Sequence, residues 1–101
     1  MSQKIKVSHT WEIPNHGSKI VLAQDKYIAL FRIDEKIYAM DNTCPHRGGP
    51  LGEGALQGHI VTCPWHGWQF DICTGQLAMG GDGVAIYPIE IIGEEVYLLI
   101  K

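Results

Sequence analysis

Cys44-Pro45-His46-Arg47-Gly48-Gly49-Pro50-Leu51 and Cys63-Pro64-Trp65-His66-Gly67-Trp68-Gln69-Phe70-Asp71 are the two stretches on which the reading of this chain turns. Sixteen residues separate His46 from Cys63. Each stretch supplies one thiolate and one imidazole, so Cys44, His46, Cys63 and His66 form a four-ligand metal set. Two kinds of centre accept that set. One is a [2Fe–2S] cluster in which two histidines replace two cysteines on one iron. The other is a structural Cys2His2 zinc site. The neighbouring residues favour iron. A common zinc finger pairs Cys with Cys and His with His, and carries its histidines on a helix. Here each half is mixed, and glycine and proline surround the histidines.

The pattern Cys-x-His, a gap of this length, then Cys-x-x-His resembles the Rieske ferredoxin family. The Pro-x-His-x-Gly stretch, the Trp-x-Phe-Asp tail and the Thr74-Gly75 turn carry the likeness further, over residues 40–75 and more loosely to the C-terminus. The resemblance implies one [2Fe–2S] cluster per chain, with Cys44 and Cys63 on one iron and His46 and His66 on the other. It also implies a potential. Two ferric ions, two sulfides and two thiolates are formally neutral, whereas a four-thiolate cluster is a dianion and is harder to reduce. Rieske centres accordingly lie at about −150 to +300 mV, against roughly −400 mV for plant-type ferredoxins.

High-potential members of the family carry a disulfide at positions that correspond to Gly49 and Trp65, and hydroxyl donors to the cluster sulfurs at positions that correspond to Trp68 and Phe70. Neither device is possible here, so a potential near the low end of the range is expected, because hydrogen bonds to sulfur stabilise the reduced state. Leu51 and Trp65 are expected to shield the cluster. Pro45 and Pro64 stiffen the loop tips and remove N–H groups that would need partners. The third loop of the family matches residues 79–83 (Met-Gly-Gly-Asp-Gly), which lack its usual proline. Met79 or Asp82 is expected near the histidines.

Around these motifs the 101 residues read as all-β and as one domain, 1–101. Strands are predicted at 4–8, 19–23, 27–33, 36–40, 86–92 and 96–100, with turns at Gln24-Asp25, Asp34-Glu35 and Gly93-Glu94-Glu95. They suggest a small antiparallel sandwich or barrel. No window reads as an amphipathic helix; residues 12–17 suit one irregular turn. Between about residues 41 and 83 glycine becomes dense, and two short strands fit at 60–63 and 68–72. This segment is read as a cluster-binding lobe inserted in the framework. Gly48, Gly49 and Gly67 are the best candidates to let backbone approach the cluster, and for Gly52, Gly54 and Gly58 a plain turn role competes with that one.

The remaining residues narrow the function. The net charge of −3 argues against nucleic acid, which selects clustered Lys and Arg. Asp34, Glu35, Glu90, Glu94 and Glu95 read as scattered surface acids. No signal peptide and no apolar run of spanning length is seen, so no membrane association is expected. Cys73 reads as a lone half-buried thiol, which fits a reducing, cytoplasmic setting. His9, His16 and His59 read as surface or turn residues.

By resemblance, the chain is expected to be a one-electron carrier between a flavin-dependent reductase and a terminal oxygenase. Reduction would centre on the histidine-bound iron, and the potential would fall with pH once the oxidised form deprotonates. The chain ends at Lys101 without a large catalytic domain, so turnover of a substrate on its own is not expected. A subunit like that of a nitrite reductase, or a zinc-binding interaction module, is the alternative.

Overall fold

A computed structural model describes residues 3–45, 48–65, 67–81 and 83–100. Ten strands, β1 (Gln3–His9), β2 (Gly17–Ala23), β3 (Lys26–Ile33), β4 (Lys36–Asp41), β5 (Ala55–Gln57), β6 (Ile60–Thr62), β7 (Gln69–Asp71), β8 (Ile86–Tyr87), β9 (Ile89–Ile92) and β10 (Glu95–Ile100), form three antiparallel sheets. Their orders are β1-β10-β9, β2-β3-β4-β8 and β5-β6-β7. Among the described residues the only helical pieces are single 3-10 turns at Thr10–Glu12 and Leu51–Glu53. Among the described residues, no helix is long and apolar enough to cross a membrane.

The run Ile28-Ala29-Leu30-Phe31 on β3 explains how the sheets stack. All four residues are fully buried. Successive strand side chains point to opposite faces, so a continuous apolar run needs cover on both sides. Ile28 and Leu30 pack with Ile13, Ala23, Ala39 and Leu98 in one core, toward the β1-β10-β9 sheet. Ala29 and Phe31 face the other way and join Met40, Cys44, Leu51, Val61, Cys63, Phe70, Ile72 and Leu77 in a second core. The central sheet therefore serves two cores, and the second one carries the cysteines.

The lobe emerges from a narrow neck. Strand β4 leads into it, β8 leads out, and the two pair with each other at Ala39↔Tyr87 and Met40↔Ile86. The Asp41 N–H donates to the Ala85 carbonyl (2.9 Å), and the Tyr87 hydroxyl donates to Asp41 Oδ1 (2.6 Å).

Three local expectations need correction. The strand predicted over 86–92 is two strands in two sheets. Pro88 lies at the break; it has no N–H to continue a ladder, and its carbonyl accepts the Leu99 N–H instead. Strand β5 was not foreseen, since Ala-Leu-Gln is too short to carry a pattern. Two of the acids read as scattered are paired across strands: Glu90 with Lys4 and Glu95 with Lys6, each at 2.9 Å. The turns fall where expected, and Gln24 and Asp25 both take positive φ, as a two-residue hairpin requires.

Candidate metal centre

The two cysteine loops are built on one plan. In the first, the Cys44 N–H donates to the Gly49 carbonyl (2.9 Å) and the Gly48 N–H to the Cys44 carbonyl (2.8 Å). In the second, the Cys63 N–H donates to the Trp68 carbonyl (2.7 Å) and the Gly67 N–H to the Cys63 carbonyl (3.1 Å). The shared motif is Cys-Pro-x-x-Gly. The proline presets φ after the cysteine. The glycine closes the turn in the left-handed region, with φ of 76° at Gly48 and 74° at Gly67. These two glycines are required by conformation and not by crowding, because a Cβ on Gly67 would meet nothing within 4 Å.

Gly49 differs. A Cβ there would stand 2.7 Å from the Cys63 sulfur and 3.1 Å from Trp65 Cγ. This is where the loops meet, and only glycine leaves room. Gly52 and Gly54 are also packing glycines, which decides against a plain turn role: a Cβ would lie 2.4 Å from Ile20 Cγ1 at Gly52 and 2.1 Å from the Thr62 carbonyl oxygen at Gly54. Gly58, with open space around it, is the plain turn residue.

Cys44 and Cys63 are both buried, 2% exposed, with free thiols. Burial pushes the Cys63 thiol above its ordinary value; the Trp65 backbone N–H, donating to its sulfur, works against the rise, and the adjacent Cys44 thiol adds to it. The sequence thus brings two sulfurs together in an apolar setting with an N–H aimed at one of them. Such a donor set fits a soft, thiolate-bound metal centre. Among the described residues, no group of three or more His, Cys, Asp or Glu comes together elsewhere as a metal site. The expected ligands His46 and His66, and Asp82 of the third loop, lie outside the described residues.

Of the residues expected around the cluster, Leu51 is fully buried in the cysteine core. Trp65 lies against Gly49 and remains 53% exposed, so it screens one side and also presents a surface. Phe70 is fully buried in the same core. Met79 is 79% exposed. Cys73 is half-buried, its N–H bound to Asp71 Oδ1 at 2.8 Å. Burial raises its thiol pKa, and the nearby Tyr38 hydroxyl opposes the rise. Tyr38 meets the His59 ring edge-on in an open groove of about 510 Å³ that the cysteine loops do not line. His16 is a positive-φ surface residue, and His9 pairs with Glu12 and stacks on Trp11. All three histidines are thus accounted for away from the cysteines.

Two loops of equal closure, meeting at a pair of buried thiols on an all-β framework, are the frame of a small metal-binding β-domain. The chain belongs to the Rieske [2Fe-2S] domain family, whose model matches residues 3–88. Its cofactor is therefore a [2Fe–2S] cluster, one per chain, and the zinc alternative is set aside. It is 34% identical over 90 residues to the ferredoxin component of a naphthalene 1,2-dioxygenase system from Pseudomonas aeruginosa, covering 87% of this chain and 86% of that protein. A chain from the solved complex of reduced oxygenase and oxidized ferredoxin in carbazole 1,9a-dioxygenase superposes with a TM-score of 0.86 at 28% identity, over 94% of this chain and 91% of that one. The ferredoxin of carbazole 1,9a-dioxygenase from Nocardioides aromaticivorans shares the fold at a TM-score of 0.91 and 20% identity, covering 98% and 99%.

Proposed function

We propose that this chain is a Rieske-type ferredoxin, a one-electron carrier that serves a flavin-dependent reductase and a terminal oxygenase in the cytoplasm. Residues 1–101 act as one domain with the cluster lobe at about 41–83. Cys44 and Cys63 hold one iron, and His46 and His66 the other. The observation that carries the reading is the meeting of two identically closed Cys-Pro-x-x-Gly loops at Gly49, in a chain that covers most of the length of a dioxygenase ferredoxin component.

Bound between these loops, a Rieske cluster supplies a one-electron couple at a formally neutral site. The chain's own residues do the rest. The two closed loops hold both thiols buried. Leu51 and Phe70 exclude water from the sulfur side. The Trp65 N–H stabilises negative charge on the Cys63 sulfur. Among the described residues of the loops, Pro45, Pro64 and Trp65 are exposed and open to a partner. The free thiol of Cys73 fits a reducing compartment.

The test is direct. Purified protein is expected to be red-brown, with a rhombic electron paramagnetic resonance signal on reduction, and His46→Ala is expected to abolish both. A colourless wild type, or a variant with unchanged spectra, overturns the ligand assignment. Mixed with a reductase and a terminal oxygenase of a dioxygenase system, the reduced protein is expected to be reoxidised by the oxygenase. Reoxidation by a sirohaem nitrite reductase alone would replace the oxygenase by that partner.

A further inference from the structure

The two loops close alike but are anchored differently. Asn42, two residues before Cys44, is buried. Its backbone N–H donates to the Tyr27 carbonyl (3.0 Å), its carbonyl accepts the Leu51 N–H (2.7 Å), and its side-chain Oδ1 accepts the Gly52 N–H (2.7 Å). From β2, the Ser18 hydroxyl donates to the carbonyl of the same Gly52. A Cβ on Gly52 would stand 2.4 Å from Ile20 Cγ1 and 2.8 Å from Asn42 Oδ1, so this glycine is gripped from two sides. The grip fastens both ends of the first loop, residues 42 and 51–52, to the central sheet. The second loop is carried between β6 and β7, where the Gln69 side chain donates to the Thr62 hydroxyl (3.3 Å) and the Cys63 N–H donates to the Trp68 carbonyl (2.7 Å).

We propose that Asn42 is a positioning residue for the cluster: its grip on Leu51 and Gly52 holds the Cys44 side of the site still while the Cys63 side is carried by the lobe. Leu51 shares one core with Cys44 and Cys63. Release of the Gly52 N–H would leave a buried donor without its partner and let the Leu51 wall move against both sulfurs. The contact uses an acceptor oxygen, which aspartate keeps at the cost of burying a charge and alanine removes. The inference rests on the chain being a cluster carrier, and the wild type in the experiment checks that separately.

The experiment compares cluster-loaded wild type, Asn42→Ala, Asn42→Asp and Ser18→Ala. Bleaching of the visible absorbance by a chelator is followed well below the thermal midpoint, together with the g-values of the reduced signal. Asn42→Ala is expected to bleach about tenfold faster than wild type, with shifted g-values, the size set by one lost buried hydrogen bond. Asn42→Asp, which keeps the acceptor, is expected to bleach more slowly than Asn42→Ala, and Ser18→Ala to bleach faster than wild type by a smaller factor. A purely architectural asparagine would lower the thermal midpoint and leave bleaching and g-values unchanged, which overturns the proposal. If Asn42→Ala fails to fold, wild-type bleaching in Ser18→Ala overturns it. A wild type without a cluster overturns it together with the reading beneath it.

Discussion

At the scale of the residue, glycine does two different jobs at this site. Gly67 is there for its backbone angle, and Gly49 for its missing side chain. The two make opposite predictions. Gly67→Ala has room but must hold an alanine at φ 74°, so it is expected to lower stability by about 1–2 kcal/mol and keep the cluster. Gly49→Ala drives a methyl group into the Cys63 sulfur and the Trp65 ring, and is expected to lower iron per chain well below that of Gly67→Ala. Urea unfolding and iron analysis of the two variants check this. That the glycines near the cysteines matter was legible in the sequence, since they sit in ligand motifs. Which of them serve angle and which serve space was not, because space is set by a residue fourteen positions away on the other loop.

At the scale of the element, the neck joins the two ends of the lobe. It is held by two register pairs of β4 and β8, by the Asp41 N–H to Ala85 carbonyl bond and by the Tyr87–Asp41 hydrogen bond. Tyr87→Phe is expected to destabilise the protein by about 1 kcal/mol. The phenol carries a pH signature as well. Burial first, and the Asp41 carboxylate second, push its pKa up to about 12. The folded state therefore holds this proton more tightly than the unfolded chain, whose tyrosine titrates near pH 10. The contribution is complete below about pH 10 and is lost as pH rises toward about 12. Denaturant midpoints taken across that window should converge for wild type and Tyr87→Phe as pH rises; a constant gap would contradict the assignment. The sequence placed a strand at 86–92 but missed that Pro88 splits it between two sheets. Without that split the neck could not form, because β8 must turn back to β4 while β9 pairs with β10.

At the scale of the whole molecule, the central sheet carries two cores, and the second one buries both cysteines. Phe70 and Trp68 offer no hydroxyl to the cluster sulfurs, and the Gly49–Trp65 contact stands where no disulfide can form. The midpoint potential is therefore expected near the low end of the range, about −150 mV and not roughly +200 mV or above. Voltammetry checks this, and a high value would mean that sulfur-directed donors such as the Trp65 N–H outweigh the missing hydroxyls.

The sequence by itself determined the cofactor class. Ligand motifs are local: Cys44-x-His46 and Cys63-x-x-His66 and their Pro/Gly setting lie within a few positions each, and the family resemblance they carry pointed to iron rather than zinc. It also determined the strands of the framework, because alternation and turn residues act over a few positions. Only the tertiary structure decided how the two motifs meet. The approach of Gly49 to Cys63, the grip of Asn42 and Ser18 on Gly52, and the pairing of β4 with β8 all join residues far apart in the chain. Such contacts depend on how the sheets stack, and local sequence preferences are silent on that.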